Sequence, residues 1–394
     1  MQITSDKAFQ KSNSVQQVFE TIDANLQRYI DFLCHICSYE ARAYDKVTID
    51  RMADYIVTFS HSEGFQITRT PMESCGDFLT VEINPGKEKA GLFMAHMDTV
   101  FDKGAFGQPP VRREGDRITG PGVIDCKGGI AIALLCMKAL LDHGFDKHVR
   151  LILTSDEEVS NILGGEKEQQ FFREQTAGFP CAINCETAEK DQVVVGRKAI
   201  LMYRLDIKGV GGHAGKHVFT AKNAAVEAAY KIIALHEKSV PGGTTYSCNI
   251  VSGGTAANVI PDSCSVTIDI RALTVKDMET ATQELEAVAR TAFVPGTTCT
   301  VNLLSTRPPM EKTPQTLELL NGLLNVCHKY GLGGLTPIES GGGSDSCYTQ
   351  AAGIPSICGM GGSGGLLHTT NEFLNPDSIP LRAKILAGFL LDAD

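Results

Sequence analysis

Glu157 and Glu158 stand side by side just after the apolar run Leu151-Ile-Leu. A short run of that kind reads as a buried strand, which puts both acids at its C-terminal end, the edge where open α/β sheets bind ligands. Neighbouring glutamates there repel unless a cation holds them or one keeps a proton. A divalent metal does the first, and a hydrolytic general base does the second. The same kind of ending recurs along the chain. The apolar run 90–95 leads into His96-Met-Asp98, the run 179–185 into Glu186, and the glycine-rich turn 120–129 carries Asp125 ahead of a helical segment, 130–141. One such ending is ordinary, and their recurrence is the signal. An imidazole two residues before a carboxylate can bind metal while the acid orients it. Asp125 has a plainer reading as a helix N-cap. Its glycines would let the backbone come close to a bound ion. The turn does not fit the phosphate-cradling pattern GxxxxGK(S/T), which sets nucleotide binding aside.

If His96, Asp125, Glu158, Glu186 and His368 converge, they supply two histidines and three carboxylates. That donor set suits zinc, with cobalt or manganese as alternatives. Five ligands exceed what one catalytic zinc takes with a position left open, but suit two metals about 3.5–4 Å apart sharing one carboxylate. Glu157 is then left beside a ligand, placed to take a proton from water and pass it to a leaving amine. Asp98 would fix the tautomer of His96. Two glycine-rich loops, 339–345 and 359–365, precede His368. They suggest backbone N–H groups aimed at a substrate carboxylate, with surface loops as the plain alternative.

These residues need a frame, and 394 residues are long for one core, so two domains are expected. Helical spacing marks 14–37, 46–60, 166–175, 317–330 and 379–391, and strand patterns mark 78–84 and 354–358. From about 193 the texture changes to strand 201–207, helix 221–235, strands 244–251 and 263–270, helix 275–293 and strand 298–304. That β-α-β-β-α-β order is the ferredoxin-like split arrangement. The expected fold is therefore α/β. A catalytic domain with a central, mostly parallel sheet is formed by 1–192 and 306–394, and 193–305 is inserted in it. The insert offers His213, Asn258 and Arg271, each beside a turn or strand end, and singly each reads as structural. Arg307 reads as a surface arginine.

Hydrophobic content of 43% and charged content of 21% are ordinary for a soluble protein. A net charge of -10 argues against nucleic acid or an anionic membrane as partner. No stretch is apolar enough to span a bilayer, and the N-terminus lacks a signal-peptide core. With thirteen cysteines, an odd number, the expectation is free thiols and a cytoplasmic protein. The Cys34-His-Ile-Cys37 pair lies in a helical pattern and reads as buried helix cysteines.

Taken together, His96-Met-Asp98-Thr-Val, the 120–129 turn, Asp156-Glu157-Glu158, Cys185-Glu186-Thr, Gly212-His213-Ala-Gly215, Gly341-Gly-Gly-Ser-Asp345 and His368-Thr resemble the M20 family of metallopeptidases. Within it the chain looks most like the glutamate carboxypeptidase branch. The resemblance implies one zinc on His96 and Glu186, another on Glu158 and His368, and Asp125 bridging them. It implies Glu157 as general base and Asp98 behind the first histidine. The insert would be a lid or dimerisation domain, making a homodimer. His213 would reach a neighbouring subunit's active site and stabilise the oxyanion. Asn258 and Arg271, with Gly362 and Gly364 of the loop before His368, would grip the substrate's carboxylate. Glu rather than Asp at 186 resembles the carboxypeptidase and aminoacylase members. Cys185 and Thr187, Ser160-Asn161 and Ala199 depart from the family's common residues, which bears on the substrate subsite and leaves the metal site intact. The expected activity is cleavage of a small peptide or N-acyl amino acid beside a free carboxylate. A tripeptide or dipeptide aminopeptidase, or an N-acyl amino-acid amidohydrolase, would keep the same chemistry. A non-catalytic metal-binding scaffold would have lost the base or a ligand, and none is missing here.

Overall fold

The computed structural model describes residues 2–393 apart from Lys190, with side chains from Val15 onward. It divides into two compact units. One runs up to Val195 and takes in Lys312–Glu339 and the chain from Ser344 on; the other is Gly196–Glu311 with Ser340–Gly343.

The first unit is built on a six-stranded sheet in the order Gln66–Thr70, Phe78–Ile83, His148–Thr154, Lys89–His96, Ala182–Asn184, Ser356–Ile357. The first three strands pair antiparallel, and the last four run parallel. Strand Lys89–His96 is buried from Gly91 onward. That is why it reads as a continuous apolar run with no alternation. Helix Lys127–Asp142 is apolar almost all round and packs against helices Gln2–Cys37 and Ser378–Asp392 and the 89–96 strand. The N-terminal helix starts at Gln2, well before the periodic segment beginning near residue 14. A smaller antiparallel sheet joins Gly364–Gly365, Phe373–Leu374, Arg117–Thr119 and Arg112–Glu114. His368 therefore sits on the loop of a hairpin within what reads in sequence as plain loop.

The second unit is a four-stranded antiparallel sheet in the order Thr245–Gly253, Ser263–Ala272, Ala199–Lys208, Thr298–Arg307, carrying helices Ala224–His236 and Val275–Arg290. Strand Ser263–Ala272 buries every second residue, as a sheet covered on one face requires. Asn223 and Thr274 cap the two helices with side-chain acceptors. Buried Lys231 ties the helices together. Its ammonium lies 2.8 Å from Glu227 and donates to the carbonyls of Val288, Ala289 and Thr291. Arg307, expected at the surface, is only 3% exposed: it ends a strand of this sheet, with Gly343 packed so close that a Cβ there would meet its side chain.

Among the described residues no helix is long and apolar enough to cross a membrane. The thirteen cysteines are free thiols, with Cys37 buried and Cys34 half-buried in the first helix.

Candidate active site

Parallel register brings the acidic strand ends level. His96 lies opposite Thr154, and Met94 opposite Asn184. The residues that follow, Asp98, Glu157-Glu158 and Glu186, therefore leave the sheet at one edge. Asp125 comes to that edge from the turn before helix Lys127–Asp142. It does not cap the helix: the N-cap residue is Cys126, which makes no side-chain cap bond. The Asp125 carboxylate faces two histidines. Its Oδ1 is 3.1 Å from Nε2 of His96, and its Oδ2 is 3.3 Å from Nε2 of His368. Glu186 Oε1 lies 3.3 Å from the same His96 nitrogen, and Glu158 Oε2 lies 3.4 Å from the His368 nitrogen. The five residues thus form two histidine–carboxylate pairs, each facing one oxygen of Asp125.

This donor set fits divalent metal on two counts. Donors bonded at 2.0–2.1 Å to a tetrahedral ion stand about 3.4 Å apart. The four separations just given approach that spacing. The electrostatics agree. Burial, reinforced by Asp125, pushes Glu158 up to about 8 and Glu186 up to about 7. His368 is raised to about 10 by its bonds to Asp125 and Glu158. His96 is also raised by the surrounding acids, against the opposing effect of its own burial. Without a cation the cluster holds protons in its place, which is the behaviour expected of a metal site.

Asp98, fully buried, stands behind His96 with Oδ1 3.3 Å from Nδ1. The same carboxylate accepts the backbone N–H of Glu157 at 3.3 Å and of Glu158 at 3.0 Å. One acid thus fixes both an imidazole and the acidic turn. Glu157 itself is half-buried in the short turn Glu157–Val159.

Ser160 and Asn161 both adopt positive φ, +61° and +58°. Asn161 points inward: its amide donates to Glu168 Oε1 at 2.6 Å and to Asp345 Oδ1 at 2.9 Å. Asp345 also accepts from Thr154, and Asp156 from the Gly164 N–H. Asn161 therefore serves a buried polar network behind the acidic turn.

The glycines act chiefly by close packing. A Cβ on Gly129 or Gly361 would lie 2.0 or 2.1 Å from the carbonyl oxygen of Cys185. Residues 359–363 are buried, which removes the surface-loop alternative for the second loop, whereas Glu339, Gly341 and Gly342 of the first are exposed. The Gly361 N–H donates to the Glu186 carbonyl and the Ser363 N–H to Ser378, so neither is aimed at an anion. The Gly362 carbonyl accepts from Thr187, and Gly364 pairs with Leu374.

Two neighbours of the site carry no obvious signal in the sequence. Cys126 Sγ accepts from the His96 N–H at 3.5 Å and donates to the Cys185 carbonyl at 3.6 Å. Its sulfur, a ring nitrogen of His96 and an oxygen of Glu186 all lie within 4.8 Å of one another. Burial pushes the thiol well above its usual range, so it stays neutral and supports the backbone; the thiolate is the ligand form. Glu372, fully buried, accepts the backbone N–H of Asp125. Its spacing of four from His368 is the one clue to it.

In the second unit, Nδ1 of exposed His213 accepts the Gly215 N–H at 3.1 Å. The neutral ring then carries its proton on Nε2, as a donor. Asn258 is exposed, and its carbonyl accepts from Ala214. Arg271 forks onto Asp269 and donates to the Gly341 carbonyl.

The family model of peptidase family M20/M25/M40 matches residues 92–392. Carboxypeptidase G2 of a Pseudomonas species is 27% identical over 337 residues, covering 84% of this chain and 80% of its own length. A succinyl-diaminopimelate desuccinylase of Sulfurovum is 25% identical over 363 residues, covering 87% and 93%. Among solved structures, a tripeptidase from Staphylococcus aureus superposes with a TM-score of 0.77 at 20% identity, over 93% of this chain and 98% of its own.

Proposed function

Because the chain belongs to peptidase family M20/M25/M40, a family of hydrolytic enzymes, we propose that it is a two-metal hydrolase acting beside a free carboxylate. Its substrate would be a small peptide or an N-acyl amino acid. One observation carries this reading: Asp125 presents one oxygen to each of two histidine–carboxylate pairs. His96, Asp125 and Glu186 would hold one ion, and His368, Asp125 and Glu158 the other. Zinc comes first, with cobalt or manganese as alternatives. Bound there, the pair would acidify a water and polarise the scissile carbonyl.

The chain's own groups do the rest. Glu157 takes the proton of the attacking water and delivers it to the leaving amine. Asp98 keeps the proton of His96 on Nδ1, so that Nε2 presents its lone pair to the site. His213, whose Nδ1 accepts the Gly215 N–H, reaches the active site of a neighbouring subunit and stabilises the oxyanion. Arg271, pre-oriented by Asp269, and Asn258 are the side chains proposed to bind the substrate carboxylate. The second unit, 193–305 as first read, is taken as ferredoxin-like, which its strand order supports, and as a lid or dimerisation domain, which rests on the family resemblance. The enzyme is proposed to be cytoplasmic and homodimeric, without nucleic-acid or membrane partners.

Glu at 186 supports the carboxypeptidase or aminoacylase side, while the likeness to a desuccinylase and to a tripeptidase keeps the amidohydrolase and aminopeptidase readings alongside it. The test is hydrolysis by the zinc-loaded protein of an N-acylated dipeptide ending in glutamate and of the same dipeptide with a free amine. Cleavage of the blocked substrate alone is expected. Cleavage of the free-amine substrate alone would overturn the assignment in favour of an aminopeptidase.

A further inference from the structure

Glu372 fastens together the two chain segments that carry Asp125 and His368. Its side-chain Oε1 accepts the backbone N–H of Ile124 at 3.0 Å and of Asp125 at 3.2 Å. Its own carbonyl accepts the N–H of Gly120 at 3.3 Å, at the start of the same turn. Its N–H donates to the carbonyl of Thr369, the residue after His368, at 3.0 Å. Four hydrogen bonds from one residue thus span the 120–125 turn and the His368 loop. The side chain is fully buried, and its second oxygen, Oε2, has no hydrogen-bond partner. A buried carboxylate with an unpaired oxygen is costly to keep for packing alone. The ammonium of Lys127, itself buried, weighs on it but donates to the Pro121 carbonyl of the same turn.

We infer that Glu372 is a positioning residue that sets the spacing between Asp125 and His368, and through it the metal position formed by Asp125, Glu158 and His368. The other position leans on His96, which Asp98 braces independently. Loss of the Glu372 acceptor therefore acts unequally on the two. This rests on the two-metal reading above.

The experiment is a cobalt titration of the metal-free full chain, followed by visible absorption and by metal analysis after dialysis, for the native protein, Glu372→Gln and Glu372→Met. Far-ultraviolet circular dichroism accompanies each. The native protein should take two equivalents; if it takes fewer, the two-metal reading fails and not merely the role of Glu372. Glu372→Gln keeps an oxygen that accepts the same two N–H groups, and should retain both equivalents within about threefold in affinity. Glu372→Met should keep its fold and one native-like equivalent, with the second weakened about tenfold or more. Two native-like equivalents in Glu372→Met would overturn the inference. So would equal weakening of both. Should the methionine variant fail to fold, Glu372→Gln decides alone: loss of one equivalent there would overturn the acceptor role.

Discussion

Asp98 accepts the backbone N–H of Glu158 at 3.0 Å while its other oxygen stands 3.3 Å from Nδ1 of His96. A single buried carboxylate therefore holds one proposed ligand by its ring and another by its main chain. Replacing Asp98 with alanine should weaken zinc binding about 10–100-fold, the usual effect of losing the group behind a ligating histidine. Equilibrium dialysis against zinc checks this. Unchanged affinity would mean that the turn is held by other contacts.

Glu157→Gln removes the proton acceptor and leaves all five proposed ligands in place. Turnover should fall by about 10²–10⁴-fold with metal content unchanged. The measurement is a rate assay paired with metal analysis of the same sample. Substantial activity in the fully loaded variant would exclude Glu157 as the base.

Metal uptake should release protons. Glu158, pushed up to about 8 chiefly by burial, and His368, raised to about 10 chiefly by its hydrogen bond to Asp125, hold protons near neutral pH that a cation must displace. Glu186, pushed up to about 7 by burial, shifts in the same direction. The sign follows: apparent affinity falls as pH falls from 8 to 6, by about tenfold per pH unit for each proton released. Calorimetric titration in two buffers of different ionisation enthalpy reads the protons directly. Identical heats in both buffers would contradict the prediction.

Lys231→Met should destabilise the second unit by about 3–5 kcal/mol, because it strands buried Glu227 without its cation. It also removes a shared donor from the carbonyls of Val288, Ala289 and Thr291. Adding Glu227→Gln should recover part of the loss. Urea unfolding of the single and double variants provides the comparison. A double variant no more stable than the single one would show that the charge left on Glu227 is not the main cost.

The site was legible where side-chain chemistry coincides with a strand end. His96, Glu158 and Glu186 announce themselves because an apolar run stops at them, and the parallel register then brings them level. Asp125 was ambiguous, since an acid before a helix is an ordinary cap; only the fold shows it turned to the histidines. Glu372 was hidden because its partners are backbone amides distant in sequence, and the role of Asn161 because its amide joins Glu168 to Asp345, 184 residues on. Gly129 and Gly361 suggested an approach to a ligand, whereas the close approach is to the carbonyl of Cys185. The small sheet around His368 was missed for another reason. Its four strands are two or three residues long, too short to carry a period.

The insertion of Gly196–Glu311 has a consequence for the order in which the centre is made. His96, Asp125, Glu158 and Glu186 are synthesised before it, and His368 after it. At ribosomal rates of about 5–20 residues per second, the nascent chain spends on the order of ten seconds or more with one histidine–carboxylate pair complete and the other lacking its imidazole. On the proposed assignment the second metal position lacks its histidine until residue 368 has been translated, so a product terminated before it carries an incomplete centre.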